Sequence, residues 1–200
     1  MILACPAAVI AQTADSVATQ ATRATPATWP THYWPKLAAG AVTSILAHEA
    51  AHVGTSLALG KHPHFGFDEG RPTVYSGISS HLQPRDQFYF SAAGLTMQSL
   101  IDEAILDIPH SRGTAFERGV LGGGIGTTVF YLTIGRWGKV SDVDFMARTH
   151  VWTKTEVTAI FGTIAASHIY RMSKDKRYAN FFVRPAAGAG MDVGMSIGGF

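Results

Sequence analysis

The sequence is short of charged residues and of cysteine. Only 15% of its 200 residues are Asp, Glu, Lys or Arg, whereas soluble domains typically carry about 25%. The formal net charge is +2 and no basic run is interleaved with aromatic residues, which argues against a nucleic-acid partner. The single cysteine, Cys5, excludes an internal disulfide framework and any multi-cysteine metal site. A metal centre in this chain must therefore be built from histidine and carboxylate ligands.

In place of charge, the chain carries long apolar stretches. They cover residues 37–60, 87–108, 114–135 and 156–172. The first is about 24 residues long, enough at ~1.5 Å per residue to cross a bilayer. We therefore predict a mainly α fold, a polytopic membrane helix bundle of about four long apolar helices. Such a protein would have lipid as a partner and would lie in a membrane, the inner membrane if the source is bacterial.

Two shorter segments are typical of strands. Residues 62–83 place the runs HFGF and TVYSGI on either side of the turn-forming DEGRP, which predicts a short β-hairpin after the first helix. Near the end of the chain, Met191, Val193, Met195 and Ile197 alternate with polar residues or glycine. A period of two predicts a C-terminal strand.

The first apolar stretch contains the motif HEAAH, formed by His48, Glu49 and His52. Helical positions four apart share one face, so both imidazoles can reach one ion. Glu49 is adjacent and can hold a water against that ion as a general base. Ionisable groups within an apolar helix are costly and usually mark a site. The motif therefore predicts a Zn²⁺ centre at which Glu49 is catalytic and the two histidines are metal ligands.

A catalytic zinc usually has three protein ligands and one open position for water. The two histidines supply two ligands, and the third must come from elsewhere in the chain. The residue types leave four candidates: Asp142, Asp144, Glu103 and His168.

The third apolar stretch is rich in glycine. Gly119 and Gly123, like Gly122 and Gly126, are four residues apart. This small-xxx-small spacing lets helices approach closely. We expect close packing here, and also that the glycine-rich helix helps to shape a water-filled pocket.

The order of these parts resembles the site-two protease family of intramembrane zinc metalloproteases. The residues SAAGLTMQ place Gly94 and Gln98 at positions of the family's Gly-Pro-x-x-Asn-like signature, with Leu95 in place of proline. The resemblance covers roughly residues 36–145. It implies hydrolysis of peptide bonds in a peptide or membrane-protein substrate, and an aspartate as third zinc ligand after the second core helix. On that basis we predict Asp142 as the third ligand.

These predictions divide the chain into three parts. Residues 1–35 would form a signal-like segment and flexible linker, 36–178 a membrane-embedded metallopeptidase-like helical domain, and 179–200 a C-terminal tail. Two alternatives stay open at this point. One is a soluble zinc peptidase of the gluzincin type with Glu103 as third ligand, and the other is a non-enzymatic metal-binding membrane protein.

Overall fold

Five α-helices and two antiparallel strand pairs make up the described part of the chain. The computed structural model describes residues 31–68, 71–111, 113–138, 141–175, 177–178, 180–185 and 191–196. The predicted signal-like segment and most of the linker, residues 1–30, lie outside these ranges. The chain divides into two units, Met1–Thr31 and His32–Phe200, and every helix and strand described belongs to the second.

A strand pair separates the first two helices, and a second strand pair follows the last helix. The helices are α1 (Tyr33–Ala58), α2 (Pro84–Asp107), α3 (Ala115–Leu132), α4 (Asp142–Arg148) and α5 (Lys154–Lys174). The strands are β1 (His64–Asp68), β2 (Arg71–Tyr75), β3 (Asn180–Pro185) and β4 (Met191–Ser196). The hairpin predicted after the first helix is formed by β1 and β2, with His64 opposite Tyr75. The predicted C-terminal strand is β4, which pairs with β3 so that Asn180 lies opposite Ser196.

The long helices lack the apolar character that a membrane span requires. Within the residues that the structure describes, none of the helices is both long enough and apolar enough to cross a bilayer. The prediction of a polytopic membrane helix bundle is therefore wrong. Alanine, glycine, serine and threonine make up half or more of the first and third stretches, and they contribute much less hydrophobicity than leucine or isoleucine. In α2, Asp86 near one end and Asp102 and Glu103 near the other leave an uncharged run that is shorter than the ~20 residues a span needs.

Glycine brings α1 and α3 into direct backbone contact. A Cβ atom at Gly40 would lie 2.0 Å from the carbonyl oxygen of Phe116, and one at Gly119 would lie 2.0 Å from that of Leu37. A Cβ at Gly123 would lie 3.1 Å from the α1 backbone. Any side chain at the first two positions would force the helices apart. The Gly119–Gly123 spacing thus serves helix packing, and α1 and α3 run in the same direction. The same prediction is wrong for Gly122 and Gly126, where a Cβ atom would meet no other atom within 4 Å.

The main hydrophobic core lies between α2, α3, α4 and α5. Its buried members are Phe88, Leu95, Leu132, Val143, Met146, Val157 and Phe161. The short helix α4 contributes Val143 and Met146, both fully buried. Ser141 caps this helix by accepting a hydrogen bond from the Asp144 amide at 3.3 Å. The cap and the two buried side chains fix the first residue of α4, Asp142, against the bundle.

Candidate metal centre

Helix α1 points His48 and His52 into the bundle, where they are 2% and 4% exposed. They lie one turn apart on the same face, as the motif predicts. Their Nε2 atoms are 3.1 Å apart. Two ring nitrogens of one helix therefore converge on one point.

Hydrogen bonds from α2 fix the tautomer of both rings. The Nδ1 atom of His52 lies 2.7 Å from the carbonyl oxygen of Phe90, which can only accept, so Nδ1 carries the proton. The side-chain amide nitrogen of Gln98 donates to the carbonyl oxygen of Ser44, so its Oε1 atom faces His48 Nδ1 at 3.0 Å and accepts a hydrogen bond from Nδ1–H. In the neutral form of each ring, which is the form that binds a metal, the proton is on Nδ1 and Nε2 keeps a free lone pair. This is the orienting role that carbonyl groups play toward metal-binding histidines.

Two further contacts hold the His48 ring in place. A Cβ atom at Gly94 would lie 2.4 Å from His48 Nε2, so only glycine lets α2 approach the imidazole this closely. On the α3 side, the Tyr131 ring stacks on His48 with 5.8 Å between centroids and 3° between planes. The imidazole is thus held by neighbours on α2 and α3.

The structure brings Asp142 to the two histidines. Its Oδ2 atom lies 3.0 Å from His48 Nε2 and 3.4 Å from His52 Nε2. The segment that follows the third long helix forms α4 and brings this aspartate to α1. His48, His52 and Asp142 form a group that could hold a metal ion.

The geometry of these three atoms suits a small tetrahedral cation. Their separations are 3.1, 3.0 and 3.4 Å. Bonds of 2.0–2.1 Å at tetrahedral angles place ligand atoms about 3.3–3.4 Å apart. Moreover, Asp142 Oδ2 is buried, and both Nε2 atoms face it. The lone pairs of three such atoms repel one another unless a proton or a cation lies between them.

The site is electrostatically arranged to favour positive charge. Burial lowers the pKa of His52, but the negative charge of Asp142 outweighs it and raises that pKa to about 9. Burial likewise raises the pKa of Asp142, but the charge of His52 and hydrogen bonds with both histidines hold it far below its ordinary value. Both shifts have one origin, a buried carboxylate beside two imidazoles.

Glu49 lies at the edge of this cluster, half-buried. Burial raises its pKa above the ordinary value, against the opposing charges of the two histidines. Glu49 and His48 both line a cavity of about 370 Å³ between α1 and α3. A larger cavity of about 660 Å³ between α1 and α2 is lined by neither. The motif glutamate therefore opens onto the smaller of these two cavities.

The other carboxylates considered as third ligand are engaged elsewhere. Asp144 pairs with Lys154 at 2.6 Å and with Arg148. Glu103 accepts from His168 at 2.8 Å and from Arg171 at 2.6 Å. None of Asp144, Glu103 and His168 belongs to the group formed with His48 and His52.

Asp102, beside Glu103 on α2, is a buried carboxyl group of a different kind. It is 2% exposed, and burial raises its pKa to about 8. A Cβ atom at Gly124 of α3 would lie 2.6 Å from its Oδ2 atom, and the Nδ1 atom of His168 on α5 lies 3.8 Å from the same oxygen. The folded protein thus holds Asp102 protonated at neutral pH, whereas the unfolded chain ionises it near pH 4.

Asp102→Asn is expected to reduce the loss of stability that the protein shows on going from pH 5 to pH 8. The raised pKa makes the folded state bind a proton that the unfolded state releases, so stability falls with rising pH at up to ~1.4 kcal/mol per unit. Asparagine cannot ionise, so the decrease in unfolding free energy from pH 5 to pH 8 should be about 2–4 kcal/mol smaller in the variant than in the parent. Urea unfolding at both pH values measures the difference.

Asp107→Asn is the control for that comparison, because Asp107 is exposed on the same helix and pairs with Arg171. It should leave the pH dependence of the parent unchanged. If the parent and Asp102→Asn lose equal stability between the two pH values, Asp102 is ionised in the folded state and the assignment is wrong.

Two groups that hold the histidines could not be predicted from the sequence. The Phe90 carbonyl is a backbone atom, and no residue pattern marks it. Tyr131 lies in a helix with no polar periodicity pointing to it. Gln98 is indicated only through the family resemblance, and its contact with His48 gives that position a physical role.

Comparisons with family models, with curated proteins and with solved structures find no match to this chain. The site is therefore interpreted from its own geometry. The resemblance to site-two proteases stays a prediction that depends on the motif residues of α1 and α2.

Proposed function

We propose that this protein is a zinc-dependent peptidase of the HExxH type. The observation that carries the proposal is the convergence of His48, His52 and Asp142 beside Glu49. Two imidazole nitrogens and one carboxylate oxygen are a typical donor set of catalytic zinc sites, which keep one position open for water. The cavity next to Glu49 and His48 gives a substrate access to that position.

The choice of zinc rests on the donor set and on Glu49 together. Two histidines and a carboxylate also bind Fe(II) in oxygenases. A glutamate directly after the first histidine of such a pair is the general base of zinc hydrolases. This combination favours hydrolysis over redox chemistry.

Each residue has a defined task in this proposal. Zinc, when bound, lowers the pKa of a water ligand toward ~7 and polarises a carbonyl group. Glu49 accepts the proton of the attacking water and returns it to the leaving amine. Gln98 and the Phe90 carbonyl keep the histidines in the tautomer that presents Nε2. The negative charge of Asp142 partly neutralises the ion.

The resemblance to site-two proteases supports a peptide as substrate. It places HEAAH, Gly94 and Gln98 in corresponding positions, and the contacts of the last two with His48 are consistent with that comparison. A gluzincin arrangement with Glu103 as ligand is less well supported, because Glu103 is occupied by His168 and Arg171.

The purified protein is expected to contain one zinc per chain, and His48→Ala to contain less than about a tenth of that. Removing one of three ligands leaves too few donors for a stable site. Elemental analysis after dialysis measures zinc and would also detect iron. His62→Ala is the matched control, because His62 is an exposed histidine that follows α1 and lies outside the cluster.

Zinc that stays stoichiometric in His48→Ala would place the metal elsewhere and refute the proposal. Iron in place of zinc would refute the peptidase assignment. Equal losses in the His48 and His62 variants would show that the metal is bound at the surface.

A further inference from the structure

The cavity beside Glu49 has one wall from the motif helix and one from the glycine-rich helix. From α1 it takes Ile45, His48 and Glu49, and its α3 lining includes Gly126, Thr127 and Phe130. Its volume of about 370 Å³ is near the lower end of ligand pockets, which span about 300–1,000 Å³. That volume suits the side chain of a peptide residue better than a large ligand.

The walls away from the metal cluster offer apolar surface. Ile45 is 48% exposed and Phe130 is 41% exposed. Burial of such exposed apolar surface by another apolar group is favourable in free energy. The pocket thus combines a polar end, at Glu49 and His48, with an apolar end.

Gly126 leaves the space between these walls open. A Cβ atom at this position would meet no other atom within 4 Å. This differs from Gly119 and Gly123 of the same helix, which contact the α1 backbone. Glycine at 126 is therefore not required by helix packing, and its effect is to keep the pocket deep.

We infer that this pocket binds an apolar side chain of the peptide substrate, next to the bond that is cleaved, and that Gly126 sets the size of side chain accepted. The inference rests on the proposed function, since the pocket matters for specificity only if Glu49 and the metal act there. The occupant is a leucine- or phenylalanine-like residue. It would contact Ile45 and Phe130 while its carbonyl group lies toward His48 and Glu49.

Gly126→Leu tests this inference, with Gly122→Leu as matched control. Gly122 lies one turn earlier on α3 and is exposed, and a Cβ atom there would also meet no other atom within 4 Å. Both changes add the same side chain to an open helical position, so both variants should fold. Only Gly126 lines the pocket.

Two zinc-binding hydroxamates serve as binding probes, acetohydroxamate and the hydroxamate of N-acetyl-leucine. Two peptides serve as substrates, one with leucine and one with alanine beside the scissile bond. Gly126→Leu should weaken binding of the leucine hydroxamate and cleavage of the leucine peptide about 10–200-fold, the range for a misfit in an apolar pocket. Zinc content should stay stoichiometric, and acetohydroxamate binding and alanine-peptide cleavage should fall far less than their leucine counterparts. Gly126→Ala should give an intermediate loss, and Gly122→Leu should match the parent.

The outcomes separate this inference from the function on which it rests. Stoichiometric zinc with unchanged leucine selectivity in Gly126→Leu would overturn the inference alone. The same conclusion would follow if Gly122→Leu lost selectivity equally. A parent protein without zinc would overturn the proposed function and this inference with it.

Discussion

Glu49→Gln is expected to lower kcat for peptide hydrolysis by about 10²–10⁴-fold, the usual contribution of a general acid–base group. Glutamine keeps the size of the side chain and an acceptor oxygen, but it cannot take up the proton of the attacking water. Zinc should remain stoichiometric, because Glu49 is not one of the three converging ligand residues. Initial rates and zinc content measured on the same preparation test both halves of this expectation.

Glu156→Gln is the control, because it makes the same chemical change at a residue outside the metal cluster. Glu156 is exposed at the start of α5 and accepts a hydrogen bond from the Thr153 amide at 2.7 Å. Glutamine also serves at this position of a capping box. This control should keep full activity. Full activity in Glu49→Gln would show that Glu49 is not the general base. Zinc binding in a parent that hydrolyses no peptide would favour a non-enzymatic metal site.

Asp142→Ala is expected to lower zinc affinity by well over 100-fold. Loss of a residue that only orients a ligand typically costs about 10–100-fold, and loss of a ligand should cost more. The change also removes the negative charge that faces both imidazoles. Competition with a chromophoric chelator gives the affinity of the parent and of the variant.

Asp144→Ala and Glu103→Ala are the controls for that measurement. Asp144 lies on the same short helix but pairs with Lys154 and Arg148. Glu103 is bound to His168 and Arg171. Both variants should keep tight zinc. If Asp142→Ala kept tight, stoichiometric zinc and Glu103→Ala lost it, Glu103 would be the third ligand and Asp142 would not.

The local parts of the site could be predicted from the sequence, because they depend on short spacings. Positions four apart on a helix place His48 and His52 on one face in any helical context. The hairpin between α1 and α2 follows from turn-forming residues between two strand-like runs. These features require no knowledge of how the helices pack.

The partner of the two histidines could not be derived from spacing. Asp142 and Asp144 are two residues apart in one short helix, so they point in different directions. Which of them faces α1 is decided by the burial of Val143 and Met146 and by the Ser141 cap. The family resemblance favours Asp142, whereas the residue types alone leave four candidates.

The membrane prediction is wrong for a physical reason. A low charge content does not by itself make a helix apolar, and much of this sequence is alanine, glycine, serine and threonine. Such residues allow close packing without making a helix hydrophobic. The small side chains of α1 and α3 are explained by their backbone contact at Gly40 and Gly119.

That contact also has a mechanical consequence. α1 and α3 touch around Gly40 and Gly119, and they enclose the pocket further along, at Glu49 and Gly126. Nine residues of helix separate Gly40 from Glu49, about 13 Å along the axis. A change of about 5° in the crossing angle of the two helices at this contact therefore moves α1 by about 1 Å at Glu49. The width of the pocket thus depends on glycines of the helix contact that do not themselves line it.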